Sequence, residues 1–151
     1  MISAIFVAGK SGQPQQQILD VEVRLGLGIT GDRHFKKHRR PGQNISFIEI
    51  ESIENFNASF NQNIDLQATR RNIITRGVDL NVLVNKEFSI GKARFRGVEL
   101  CEPCIILGRL LKSETLSEKD VITAFWGRGG LRAEVLRDGI LSVGMTIETK
   151  G

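Results

Sequence analysis

Short alternating segments, set close together and punctuated by glycine, constrain this chain more than any other feature. "ISAIFVAG" (2–9) and "ILDVEVRLGLGI" (18–29) read as strands, and in the second Val21, Val23, Leu25, Leu27 and Ile29 recur with period two. "RRNIITRG" (70–77) is a short strand closed by a turn glycine. "KEFSIGKARFRGVELC" (86–101) reads as two strands broken at Gly91, with Gly97 at a bulge. The C-terminal "LRAEVLRDGILSVGMTIET" (131–149) predicts a hairpin with Asp138-Gly139 as its turn. Helical spacing is rarer. "NISFIEIESIENFNASF" (44–60) begins as a strand and turns helical, with Ile50, Ile53, Phe56 and Phe60 on one face. Further helices are expected from Pro103 to Leu111 and around "SEKDVITAFWG", while "VDLNVLVNK" stays undecided. Strands so close, without regular crossover helices, predict a mainly β protein. The expected form is a barrel-like, mostly antiparallel sheet with a few short peripheral helices.

The 151 residues suit one domain, large enough to fold on its own core without disulfide or metal. Sixteen glycines, three prolines and no tyrosine fit many tight turns. No apolar run approaches the ~20 residues of a membrane helix. "MISAIFVAGKSGQ" reads as a first strand and not a signal peptide. With only two cysteines, the expected setting is the reducing cytoplasm, and no membrane partner is expected.

"GLGITG" (26–31) spells Gly-x-Gly-x-x-Gly after a strand, with Glu49 and Glu51 near the distance at which a dinucleotide fold places its acid. The next segment, "DRHFKKHRRPGQ", is charged all round and broken by Pro-Gly, so turn glycines explain the pattern better. The basic window 31–44 sets Arg33, Lys36, Lys37, Arg39 and Arg40 against Asp32, which equals the whole chain's formal charge of +4. One basic segment on a balanced body suggests a local anion site, although a solvated charge run remains open. Nucleic acid is not an expected partner, because the stacking aromatics it needs are missing: most are Phe at core-like positions. A phosphate-bearing small molecule suits glycine-rich backbone beside Arg33, His34 and Lys36. Arg70, Arg71 and Arg76 add cations from the "TRRNIITRG" strand, and Arg128 and Arg132 add two from "GRGGLR".

Both cysteines stand in "LCEPC" as Cys101 and Cys104. A redox pair needs the start of a helix within a βαβ unit, a context the pattern does not offer. A Cys₂His₂ zinc set would have to recruit His34 and His38 across some sixty residues. A single working thiolate is a further reading. Cys101 belongs to the strand, whereas Cys104 follows Pro103, a residue favoured at the first position of a helix. The helix dipole, free amides and nearby arginines would stabilise a thiolate there. A small buried core thiol competes with it, and spacing alone does not choose.

Taken in order, "GITGDRH", "ISFIEIESIE", "RRNIITRGVDLNVL", "FSIGKARFRGVELCEPC" and "GRGGLRAEVLRDGILSVG" resemble the MOSC family, the molybdenum cofactor sulfurase C-terminal domains. The resemblance runs from about residue 2 to 148 and implies a single such domain over 1–151. It also implies a link to molybdopterin, in which Cys104 would ligate molybdenum and Arg70 and Asn72 would contact the cofactor. Arg33, His34, Arg71 and Arg128 would line the same pocket. Molybdopterin carries a phosphate and two dithiolene sulfurs, which suits a basic rim and a soft thiolate ligand.

Departures from the family shape the functional expectation. The pyridoxal-phosphate desulfurase domain of eukaryotic sulfurases has no counterpart in these residues, nor has the extra N-terminal β domain of amidoxime reductases. The helical extension of some bacterial reductases is missing too. No flavin or iron–sulfur motif is visible, so electrons or sulfur would come from a donor protein. The functions implied are molybdenum-dependent reduction of N-hydroxylated compounds, sulfur transfer through a Cys104 persulfide, or non-catalytic delivery of the cofactor.

Overall fold

The computed structural model describes residues 1–9, 13–36, 42, 44–101 and 105–149. Cys104, Pro103, His38, Lys37, Arg39 and Arg40, all singled out by the sequence, lie outside the described residues. Among the described residues, eleven strands form two sheets. The larger contains β1 (Ile2–Val7), β2 (Gln16–Ile18), β5 (Ile45–Glu49), β6 (Ile73–Thr75), β7 (Glu87–Ile90), β8 (Ala93–Leu100), β9 (Leu131–Arg137) and β11 (Ile147–Thr149). Their order is β11-β7-β8-β9-β5-β6-β1-β2. The smaller holds β3 (Asp20–Arg24), β4 (Gly28–Ile29) and β10 (Gly139–Ser142), in the order β10-β3-β4. The mainly β expectation is met, but the large sheet stays open between β11 and β2, so "barrel-like" describes it only loosely.

The strand ladders are antiparallel except β5 and β6, which run parallel. The parallel pair requires a crossover, which α1 (Ile50–Phe60) supplies. One such crossover among the described residues is in keeping with the expected lack of regular crossover helices. Ile50, Ile53 and Phe56 are buried along α1, and Asn61 ends it in the left-handed conformation. "VDLNVLVNK" resolves as a 3-10 turn, Leu80–Leu83, capped by the Asp79 side chain on the Asn81 N–H.

Two expectations need correction. Leu25 is a turn residue, 60% exposed, so the period-two run stops at Val23 and Gly26 (φ +68°) turns the chain into β4. Nor does the segment around Asp138-Gly139 fold back on β9. β10 pairs with β3, Gly139 opposite Val23, while the Asp138 carboxylate accepts the Leu25 N–H at 2.6 Å. Gly139 passes so close to Ala93 that a side chain there would clash. The bulge at Gly97 is present as a register shift between Gly97 and Glu99.

The large sheet buries both faces. Ile2, Ile5, Ile45, Phe47, Ile73, Phe88, Phe95, Leu131 and Ala133 share one core with Val21, Val23 and Ile29 of the small sheet. Alternation sends Ala4, Phe6, Ile48 and Ile74 to the opposite core, where α1, α2 (Ile105–Leu111) and α3 (Glu118–Phe125) cover them. Gly108 lets α2 approach the backbone of α3 at Glu118. No helix among the described residues is long and apolar enough to cross a membrane.

Candidate functional site

Ser46, Asn72, Phe6 and Arg132 have the parity of Ile48 and Ile74, so they face the helix side of the sheet. Ser46 stands opposite Arg132 on β9, and Glu99 of β8 pairs with Arg132 on the other side, 3.8 Å from its Nε. Asn72, just before β6, ties this row together. Its N–H donates to Ser46 Oγ at 3.1 Å, and its Oδ1 accepts from both Ser46 N–H and Ser46 Oγ at 3.1 Å. Its Nδ2 donates to Phe6 O at 3.2 Å and lies 3.5 Å from Asp32 Oδ1. The amide is thereby fully engaged by protein groups, and Asn72 is 5% exposed.

Asp32 is the second node. The turn glycines bring it down onto β1: Arg33 N–H donates to Ala8 O at 2.7 Å, and Asp32 Oδ1 accepts the Ala8 N–H at 3.1 Å. Oδ2 takes the His34 N–H at 3.3 Å and lies 3.5 Å from His34 Nδ1. Burial by itself would raise the Asp32 pKa. The His34 ring and the Ala8 and His34 amides outweigh it, holding the carboxyl below its ordinary range. The one sequence signal for this residue is a lone acid inside a basic segment, which by itself suggests no more than a counter-charge.

Arg33 and Arg70 lie, respectively, next along the chain from Asp32 and two residues before Asn72. Arg70 caps the 3-10 turn Leu66–Thr69 in a left-handed conformation (φ +59°), and its Nη2 donates to Gln13 O at 2.9 Å. Gln15 answers by donating Nε2 to Arg70 O at 3.3 Å. The Arg33 pKa is pulled down by burial and then by the Arg70 charge, with Asp32 opposing, so two guanidinium groups share one neighbourhood. No carboxylate among the described residues lies within ion-pairing distance of Arg33. Gln15 Oε1 and Thr69 Oγ1 are buried and have no hydrogen-bond partner among the described residues.

Other candidates have different surroundings. Arg71 donates Nε to Gly129 O at 3.0 Å and so pins the "GRGG" loop. Gly130 (φ +107°) lies against the Phe47 carbonyl and accepts the Cys101 N–H at 2.8 Å. Cys101 is 2% exposed at the end of β8. Arg128 bears electrostatically on Glu49, at the other end of β5 from Ser46. Arg76 pairs with Glu54 at 3.3 Å on the surface. The structure thus gathers Arg33, His34, Arg70 and Asn72, sets Arg71 on the glycine loop, and leaves Arg128 apart from the arginine pair. No cluster of three or more metal-ligating side chains occurs among the described residues.

The connection from Cys101 to α2 passes through residue 104, and α2 packs on the 3-10 turn that Arg70 caps.

Residues 33–148 match the MOSC domain family. The fold is similar to that of the YuaD protein from Bacillus subtilis, with 19% identity, TM-score 0.83, and coverage of 100% of this chain and 98% of that one. YiiM from Geobacillus stearothermophilus is similar at 14% identity and TM-score 0.76, covering 100% of this chain and 76% of that one. YiiM from Escherichia coli is similar at 18% identity and TM-score 0.72, covering 99% and 69%. At these identities the structures speak to fold alone. No curated protein matches the chain.

Proposed function

This chain belongs to the MOSC domain family, and from that premise we propose that it binds the molybdenum cofactor, with Cys104 as the metal's protein ligand, and supports reduction of N-hydroxylated compounds. The observation that carries the reading is the Arg33–Arg70 pair. Arg33 is partly desolvated, feels the Arg70 charge and has no carboxylate within ion-pairing distance among the described residues, which suits it to an anion. The orphaned oxygens of Gln15, whose Nε2 holds the Arg70 carbonyl, and of Thr69, the chain neighbour of Arg70, add hydrogen-bonding capacity near Arg70. Those residues fit a phosphate-bearing, hydrogen-bond-rich cofactor.

Each side chain has a definite task in this reading. Arg33 and Arg70 hold the anionic end. Asn72 and Asp32, spent on protein partners, fix the floor on which the arginines stand. Arg71 and Gly130 hold the glycine loop against Cys101. The bound cofactor supplies oxygen-atom transfer; electrons come from a donor protein. A cytoplasmic setting belongs to the same reading, since a working thiolate needs a reducing compartment.

The test is metal analysis of protein expressed in a host that makes molybdopterin, wild type beside Cys104→Ser. About one molybdenum per chain, lost in the variant, supports the proposal. Zinc in its place points to the Cys₂His₂ set, and cyanide-releasable sulfur on a metal-free protein points to a Cys104 persulfide carrier. Either result overturns the cofactor reading.

A further inference from the structure

Asp32 does more than fasten a loop. Its side chain is only 2% exposed, yet one oxygen is turned to the ring of His34, whose own side chain is 54% exposed. The other oxygen is occupied by the Ala8 N–H and approached by the Asn72 amide, so the carboxylate cannot swing away. His34 N–H also donates to the facing oxygen, which fixes the backbone from which the ring projects. An imidazole with Nδ1 against a buried carboxylate keeps Nε2 for other work, the arrangement by which carboxylates select a histidine tautomer in acid–base catalysis.

We propose that His34 is the proton donor of the site and Asp32 its positioning residue, Nε2 delivering a proton to the hydroxyl oxygen of an N-hydroxylated substrate. The proposal rests on the reductase reading above. In the step considered, R₂N–OH takes up two electrons and two protons and yields R₂NH and water. The N–O bond breaks, its electron pair leaving on oxygen; one O–H bond and one N–H bond form. The nitrogen is reduced, and a reduced electron-transfer protein is oxidised. One proton comes from His34 and the second from water. The exposed half of the imidazole then recovers its proton from solvent, while the buried carboxylate keeps the ring in place.

Two readouts test this, one of them independent of turnover. With only His34 and His38 in the chain, ¹⁵N NMR assigned through His38→Gln reads the neutral tautomer of His34. The expected result is a proton on Nδ1 in wild type and loss of that preference in Asp32→Asn. The second readout uses molybdenum-loaded protein, an N-hydroxylated base and a reduced viologen. His34→Gln should keep its molybdenum and KM while kcat falls by about 100-fold or more. Asp32→Asn should lower kcat in the same direction. A wild-type ring protonated on Nε2, or a His34→Gln protein with full molybdenum and undiminished kcat, overturns the proposal. A wild type that binds no molybdenum overturns the reductase reading and this substrate with it, while the tautomer still decides whether Asp32 positions His34.

Discussion

Replacing Asn72 by alanine is the perturbation whose consequence the structure specifies most fully. The change strips partners from Ser46 N–H and Phe6 O, each bonded at 3.1–3.2 Å, and from the weaker contact to Asp32 at 3.5 Å. A buried polar group left without a partner costs about 1–3 kcal/mol. Two such groups give about 2–6 kcal/mol, and water reaching the half-buried Ser46 argues for the lower half, about 3 kcal/mol. Against a typical stability of about 5–15 kcal/mol this is a large loss. For a chain this size it corresponds to a fall in Tm of roughly 6–12 °C, at about 2–4 °C per kcal/mol. Guanidinium denaturation of metal-free wild type, Asn72→Ala, Ser46→Ala and the double variant measures it. The single losses should sum to well above that of the double variant, because both side chains serve one network. An Asn72→Ala protein within about 1 kcal/mol of wild type would refute this reasoning and return Asn72 to the role of a direct ligand contact.

Other consequences arise from the same geometry. Glu49 is raised above the ordinary carboxylate range, by burial first and then by Asp79 and Glu51, against a Leu80 amide and Arg128. The folded state therefore holds that proton more tightly. Its contribution is fully present below the ordinary pKa and lost as pH rises through the raised folded value. Glu49→Gln should melt higher than wild type at pH 7, with the gain vanishing below about pH 4. Asp32 has the opposite sign: its contribution is present above the ordinary pKa and lost as pH falls through the lowered folded value, so acid titration of stability should flatten on the acid side in Asp32→Asn. Gly130→Ala would drive a methyl into the Phe47 carbonyl at a backbone φ of +107°, and thermal unfolding should show a loss of about 3 kcal/mol or more.

The fold was largely legible because its signals are local. Alternation over Val21 and Val23, the Gly91 break, the Gly97 bulge and the apolar face of α1 all sit within a few residues of what they determine. Where sequence patterns misled, the deciding contact was distant. Asp138-Gly139 looks like a hairpin turn until Asp138 is found holding the Leu25 N–H, 113 residues away. The Leu25–Leu27 turn continues an unbroken alternating pattern that gives no hint of Gly28 passing over the Asn44 carbonyl.

The candidate site was legible as a set of cations and not as an architecture. Arg33, His34 and Arg70 stood out by charge and by the family resemblance; Arg33 feels the Arg70 charge, and His34 stands beside the Asp32 carboxylate. Asp32, Ser46 and Gln15 did not stand out, because their meaning arises only where β1, β5, the turn before β6 and the 31–36 loop converge. Asn72 stood out only by its motif position, which gives no hint that its amide bonds to Ser46 and Phe6.

The central claim is that the sulfur of Cys104 holds the metal of a bound cofactor. X-ray absorption at the molybdenum edge of protein from a molybdopterin-producing host tests it directly. The predicted result is a molybdenum centre with one more sulfur neighbour in wild type than in Cys104→Ser measured alongside. An identical sulfur shell in the two proteins, or a wild type without molybdenum, would contradict it.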